Sequence, residues 1–237
     1  MHSCRSRTPS IPIARSLVLA FGLLIAAPVR STATEAVVLT ELGDAESTIP
    51  ARMQELGWQV TAARYLEVHG ATSAVASADV FWVTARWKNA LLGSLVRAGG
   101  LLDAFVRQGG VVVITGVNPD FVRVNAAPGG VGAIAHTANG EEAVTITGAT
   151  HPVITGAGIG GVVLADQSLD PTATGANGCI VMPPEIQDGA TVIASDAHGP
   201  VIIEYPLDAG RVILSTLASE GPSYTSNLLL YVQSLRP

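Results

Sequence analysis

Short apolar runs and stretches of helical spacing alternate through the first half of the chain. Four of the apolar runs predict strands, at 36–40, 58–61, 79–84 and 111–115. Between them, the pattern predicts a helix from Thr48 to about Leu56 and helical spacing over 89–108, interrupted at Gly99-Gly100. Strands and helices that alternate with short connections predict a parallel, doubly wound sheet with helices on both faces.

The second half of the chain has a different pattern. Glycine is dense from 129 to 174 and helical spacing is absent there. Short apolar runs recur at 143–147, 161–165, 191–194, 201–205 and 211–216. A tight turn at 207–210 predicts an antiparallel hairpin, and a closing helix is predicted over 224–235. The two halves together predict one α/β domain whose mostly parallel sheet gains antiparallel edge strands.

The first 33 residues have the three parts of a secretory signal peptide. Arg5, Arg7 and Arg15 precede an apolar run at 17–27, and small residues follow as far as Ala33. We expect residues 1–33 to be removed, which leaves 34–237 as a secreted or periplasmic domain with no stable membrane anchor. An uncleaved N-terminal anchor is the alternative, although the apolar run is short for a membrane span.

Charge and cysteine content exclude some classes of function. The first 33 residues hold four of the 13 basic residues and none of the 19 acidic ones, so their removal moves the net charge from −6 to −10. No basic cluster is left, which argues against nucleic acid as a partner. Without Cys4, the lone Cys179 cannot form an intramolecular disulfide; we expect a buried, inert thiol, with a reactive thiol as the alternative.

Four segments, taken in order, resemble the class I glutamine amidotransferase-like superfamily. They are Ala78–Val83, Leu102–Ile114, His151–Gly156 and Pro200–Leu214. The trehalose-utilisation family and the trimerisation domains of some β-galactosidases look similar, and the likeness covers most of 36–235. The resemblance implies a flavodoxin-like sheet. In catalytic members it implies a cysteine on a strand-to-helix elbow, assisted by a histidine and a glutamate near the last strand.

This chain departs from that catalytic pattern. The strand at 111–115 leads into 116–120, which contains neither cysteine nor serine. After the last strand, Leu217 and Ala218 stand where the histidine is expected, although Glu220 could match the glutamate. We therefore assign no catalytic residue and expect no amidotransferase activity.

Polar residues follow three of the predicted strands. Parallel strands place their carboxyl ends at one edge of the sheet, where open α/β folds bind ligands. The predicted ligand-binding residues are Glu41, Asp44, Arg86, Trp87, Asn118 and Asp120. Carboxylates, a guanidinium and an indole suit a polar, hydroxyl-rich ligand such as a sugar. A polar rim without function is the alternative.

Other candidate sites are weaker. The glycines of 129–136 could cradle an anion, but a flexible surface loop is the favoured interpretation. The histidines lack the spacing of a zinc site, and the acidic loop residues lack that of a calcium loop. We predict neither a metal nor a cofactor.

Three functions remain open from the sequence. The first is a secreted, non-catalytic amidotransferase-like domain that binds a small polar ligand, such as a carbohydrate, or a partner protein. The second is a hydrolase that uses Glu41, Asp44, Asn118 or Asp120. The third is a structural assembly module, and an oligomer is compatible with each of them.

The N-terminal pattern predicts export with cleavage near Ala33. The intact mass of protein recovered from the extracytoplasmic fraction should match a chain that begins at or near Thr34. A cytoplasmic chain that retains residues 1–33 would contradict the prediction.

Overall fold

The computed structural model describes residues 33–40, 48–64, 77–84, 99–116, 124–125, 127–135, 143–169, 178–217 and 221–235. All of them belong to one compact unit, Thr32–Pro237. Their strands are β1 (Glu35–Thr40), β2 (Gln59–Arg64), β3 (Val80–Thr84), β4 (Val111–Thr115), β5 (Val124–Asn125), β6 (Gly132–Ala135), β7 (Thr145–Ile146), β8 (Gly178–Val181), β9 (Thr191–Ser195), β10 (Pro200–Leu207) and β11 (Gly210–Ser215). Their helices are α1 (Ile49–Glu55), α2 (Gly99–Arg107), α3 (Pro152–Thr155), α4 (Asp166–Leu169), α5 (Pro184–Gln187) and α6 (Pro222–Ser234). No helix in these ranges is both long enough and apolar enough to span a membrane.

The main sheet has eight strands in the order β2-β1-β3-β4-β11-β10-β9-β7. The first five run parallel, since β1 pairs with β2 and β3, and β4 pairs with β3 and β11. β10, β9 and β7 complete the sheet through antiparallel pairs. The predicted α/β fold, a mostly parallel sheet with antiparallel edge strands, is confirmed and is compatible with a flavodoxin-like fold.

Each face of this sheet buries its own apolar cluster, because successive strand residues point to opposite faces. Phe81 and Val83 belong to the cluster covered by α2 and by a small sheet of order β5-β6-β8. Val80 and Trp82 belong to the other cluster, which α1, α3 and α6 cover. The central strands are therefore buried on both faces, as their continuous apolar runs predict.

The glycine-rich segment has two features that its sequence pattern does not reveal. Helices α3 and α4 form there, although each is a single turn and too short to show helical periodicity. The run at 161–165 is not part of a strand, because the side chain of Asn227 takes both backbone groups of Val162. The residues of such an interaction lie far apart in the chain, so no local pattern predicts it.

The stretch 129–136, predicted as a flexible loop or an anion cradle, instead begins in a short 3-10 turn and continues as strand β6. Pro128 is buried and its carbonyl accepts a hydrogen bond from the Tyr205 hydroxyl at 2.7 Å. The Gly129 N–H donates to the Asp103 carboxylate at 2.8 Å. The Asp103 carboxylate thus already binds a backbone N–H group that a bound anion would need.

Gly210 allows the turn between β10 and β11 to pack directly against the backbone of Val106 and Gly110. A Cβ atom at this position would lie 2.1 Å from the Val106 carbonyl oxygen and 2.3 Å from that of Gly110. Both obstacles are backbone atoms that cannot rotate away. The turn, the end of α2 and the start of β4 therefore meet only if residue 210 lacks a side chain.

We expect Gly210→Ala to lower the free energy of unfolding by more than ~3 kcal/mol, because the backbone must shift to admit the methyl group. Gly100→Ala is the matched control: a Cβ there meets no atom within 4 Å, and the residue lies in α2. That variant should keep or gain up to ~1 kcal/mol of stability. Urea unfolding of the two variants checks the prediction, which equal stabilities would contradict.

Candidate functional site

Three parallel strands end at the same level of the sheet. Thr84, the last residue of β3, is in register with Thr115, the last residue of β4. Leu39 is in register with Val83, so the final residues of β1 and β3 also correspond. The Thr84 hydroxyl donates to the Leu39 carbonyl at 3.1 Å, which ties β1 to β3 at this edge.

All six predicted ligand-binding residues lie outside the described residues. They are Glu41, Asp44, Arg86, Trp87, Asn118 and Asp120. The structure describes the strands that precede them, and β1, β3 and β4 are adjacent and parallel as the sequence predicts. The approach of their side chains to one another stays a prediction.

A row of hydroxyl groups on this edge was not predicted. Alternation places Thr84, Thr115 and Ser215 on the same face as Trp82, Val113 and Ile213. Thr115 is 4% exposed and Ser215 is fully buried. A signal was available in the sequence, since these central strands each end in a threonine or serine after an apolar run.

Two of the positions that the amidotransferase resemblance marks as catalytic, those of the cysteine and the histidine, have no catalytic side chain. Gly116 follows β4 directly and adopts a positive φ of 70°, the conformation of a sharp turn. Leu217 stands beyond β11 and is completely buried in the apolar cluster. The first residue after β4 therefore has a left-handed backbone and no nucleophilic side chain.

A buried polar group lies elsewhere in the fold; we call Glu204, His151, Tyr231 and Arg211 the Glu204 cluster. The Glu204 carboxylate accepts hydrogen bonds from His151 Nε2 at 2.7 Å and from the Tyr231 hydroxyl at 2.8 Å. The Arg211 guanidinium donates to its other oxygen at 2.5 Å. Glu204, His151 and Tyr231 are each less than a tenth exposed, whereas Arg211 is half-exposed.

Geometry fixes the proton of His151. Its Nδ1 accepts the Val153 N–H at 3.2 Å, so it caps α3 and cannot itself carry a proton. Nε2 therefore carries the proton and donates to Glu204. The imidazole of His151 therefore bonds both the backbone at the start of α3 and the buried carboxylate.

The environment of Glu204 favours its ionised form. Burial raises the pKa of this carboxyl, but hydrogen bonds from His151, Tyr231 and Arg211 outweigh burial and hold the pKa below its ordinary value. Burial, followed by the charge of Glu204, raises the pKa of the Tyr231 hydroxyl, which stays protonated as a donor. Every member of the cluster is thus bonded within it, as a structural group requires.

Cys179 lies in β8 and is partly exposed rather than buried as predicted. Burial, and then the negative charge of Asp196, raise the pKa of its thiol. A raised pKa disfavours the thiolate, which is the nucleophilic form. The described ranges hold no group of three or more His, Cys, Asp or Glu residues that could bind a metal ion.

No known protein family matches this chain, and no curated protein matches it in sequence. Solved structures do resemble it. A cytoplasmic protein from Salmonella typhimurium LT2 aligns with a TM-score of 0.54 and 10% identity, over 86% of this chain and 100% of that one. A Thermoplasma acidophilum protein, provisionally named as one of the subunits of GMP synthase, aligns with a TM-score of 0.55 and 13% identity, over 86% and 96%. The fold is consistent with a glutamine amidotransferase-like fold.

A further likeness is weaker. The β-galactosidase of Rahnella sp. R3 aligns with a TM-score of 0.44 and 14% identity, over 85% of this chain and 31% of that one. At 10% and 13% identity, the Salmonella and Thermoplasma proteins show shared architecture alone, and activity has to be argued from the residues of this chain.

We expect Glu204→Gln to cost about 3 kcal/mol of stability at neutral pH, because the donors around it lose their charged acceptor. The folded pKa of Glu204 is lowered from its ordinary value of about 4.5. Its contribution to the free energy of unfolding is therefore complete above about pH 4.5 and is lost as the pH falls through the folded pKa. Urea unfolding between about pH 3 and 7 should show a steeper acid loss in the wild type than in the variant.

Glu185→Gln is the control for this experiment, since Glu185 is exposed in α5 and should follow the wild type. Tyr231→Phe, which removes one donor, repeats the measurement if Glu204→Gln does not fold. The same acid slope in wild type and in a folded cluster variant would contradict the assignment.

Proposed function

We propose that this chain is an extracytoplasmic, non-catalytic amidotransferase-like domain that binds a small polar ligand of the carbohydrate class at the carboxyl edge of β1, β3 and β4. The supporting observation is the alignment of these strands, which are adjacent, parallel and end at one level. Their following loops carry the six predicted ligand-binding residues. Ligands of open α/β sheets bind at this edge.

The absence of catalysis in this proposal rests on three positions. Gly116 offers no nucleophile at the turn after β4, and Leu217 is apolar and buried. The Cys179 thiol has a raised pKa and lies in a different strand. The His151–Glu204 pair, which resembles an acid–base pair, is enclosed and uses its hydrogen-bonding groups internally.

The ligand class follows from the side chains in the loops. The indole of Trp87 can stack on the apolar face of a sugar ring, while Glu41, Asp44, Asn118 and Asp120 offer oxygen acceptors for its hydroxyl groups. Arg86 donates to ring or hydroxyl oxygens. A mixture of one aromatic surface and several acceptors suits a neutral, hydroxyl-rich molecule better than an anion.

Tryptophan fluorescence tests this proposal directly. The chain has three tryptophans, and Trp58 and Trp82 are buried at 4% and 0% exposure. These two buried tryptophans supply a constant background of fluorescence, so a sugar that stacks on Trp87 should change only the fluorescence of Trp87. Titration with glucose, galactose, mannose and trehalose should give a saturable change with at least one of them.

Variants assign that change to the loops. Trp87→Ala should abolish it and Trp87→Phe should retain weaker binding, because a phenyl ring still stacks. Asp44→Asn and Asp120→Asn should weaken binding by about 1–3 kcal/mol if each carboxylate bonds a hydroxyl. Asp188→Asn, an exposed carboxylate next to α5, is the control. No response to any of the sugars, or an equal response in Trp87→Ala, would overturn the proposal.

A further inference from the structure

The carboxyl edge of the main sheet continues past β1, β3 and β4. β11 is parallel to β4 and pairs with it, so β11 also ends at this edge. β10 is antiparallel to β11 and therefore begins here, and β9, which is antiparallel to β10, ends here. The turn 196–199 between β9 and β10 thus lies at the same edge as the loops that follow β1, β3 and β4.

This turn projects beyond the ends of the parallel strands. Ile202 of β10 is in register with Ser215, the last residue of β11. Leu214, one residue earlier, is in register with Ile114, so β11 and β4 end at one level. β10 begins two residues before that level, at Pro200, which places the start of the turn about 7 Å beyond it. Four strand intervals separate β1 from β10, a distance of about 19 Å along the edge.

Hydrogen bonds and packing hold the turn 196–199 in one conformation. The Asp196 carboxylate accepts the backbone N–H groups of His198 at 2.8 Å and Gly199 at 3.0 Å. The Asp196 N–H donates to the Gly199 carbonyl at 3.0 Å. Cys179 packs against the turn, since a Cβ atom on Gly199 would lie 3.4 Å from the Cβ of Cys179. The exposed side chain of His198 is therefore carried by backbone that needs little ordering when a ligand binds.

Strand β8 adds apolar surface beside the turn. The Gly178 carbonyl accepts the Thr216 hydroxyl at 2.6 Å, which fixes the start of β8 to the residue that follows β11. Cys179, the next residue, is partly exposed and is paired with Ile134 of β6, which is 41% exposed. Paired residues on antiparallel strands share one face of a sheet. This end of the edge thus combines apolar side chains with the polar imidazole of His198, the combination typical of small-molecule sites.

We propose that the ligand at the carboxyl edge is an oligosaccharide, and that the turn 196–199 and Cys179 form the end of its site that lies away from β1. This inference rests on the proposed sugar site and specifies the length of its ligand. A single sugar ring contacts only one end of an edge about 19 Å long, whereas a chain of several rings contacts both. His198 bonds the hydroxyl groups of the distant ring, because a neutral imidazole has one donor and one acceptor.

A series of ligands of increasing length tests this proposal. Tryptophan fluorescence is titrated with glucose and mannose and with cello-, malto- and manno-oligosaccharides of two to six units. In at least one series, affinity should rise at least about tenfold from the single sugar to the longest chain, which corresponds to about 1.4 kcal/mol.

A variant assigns the gain in affinity to the turn. His198→Ala should lower affinity for the longest chain about fivefold and leave affinity for the single sugar unchanged. The fold should persist, because the side chain is exposed and the Asp196 carboxylate binds backbone N–H groups in this turn. Gln108→Ala is the control, since Gln108 is exposed between α2 and β4 at the opposite edge of the sheet, and it should match the wild type with every ligand.

The thiol of Cys179 gives a second measurement that does not depend on fluorescence. Once residues 1–33 are removed, Cys179 is the sole cysteine, so alkylation by iodoacetamide at alkaline pH reports on this position alone. The longest chain should slow alkylation, and the single sugar should not.

The outcomes separate this inference from the sugar site itself. A Trp87 response that is independent of chain length overturns the inference and leaves the sugar site in place. So does a His198→Ala variant that binds the longest chain as the wild type does, or that loses affinity equally for both ligands. Unchanged alkylation of Cys179 with the longest chain bound would also overturn it. No fluorescence response to any sugar would overturn the site and the inference together.

Discussion

The buried carboxylate of Glu204 is the group on which the second half of the fold depends. It lies in β10 and takes donors from three other places: Arg211 in β11, His151 at the start of α3 and Tyr231 in α6. An ionised carboxylate out of water is tolerated only where donors surround it. Each of these elements must therefore take its observed position before the charge can be buried.

Helix α6 links the Glu204 cluster to backbone near the protein surface. Asn227 lies four residues before Tyr231 in α6, so the two side chains share one face of the helix. Tyr231 meets the buried charge, and Asn227 binds the backbone of Val153 and Val162. Displacement of α6 would release both the one-turn helix α3 and the backbone of Val162. A buried polar group thereby constrains backbone near the protein surface.

The two halves of the chain differ in how far their sequence predicts them. Strands β1, β3 and β4 of the first half are apolar on both faces, and that character alone places them inside a parallel sheet, as the strand order confirms. In the second half, single long-range contacts decide the conformation that the local sequence pattern does not predict. The backbone of Val162, for example, bonds the Asn227 side chain instead of a neighbouring strand. The sequence does indicate that Glu204 has a partner, because it is the lone charge within the apolar run at 201–205. That partner could not be named, because His151 and Tyr231 lie 53 and 27 residues away.

The position of β11 has a consequence for synthesis. β11 inserts beside β4, although residues 116–209 separate the two strands in the chain. Until the last hairpin has been made, β4 is the open edge of an apolar parallel sheet and its backbone groups lack their final partner. Such an edge pairs readily with other chains. A nascent chain that stops short of residue 210 therefore carries a strand suited to aggregation, and productive folding waits until β11 has been made.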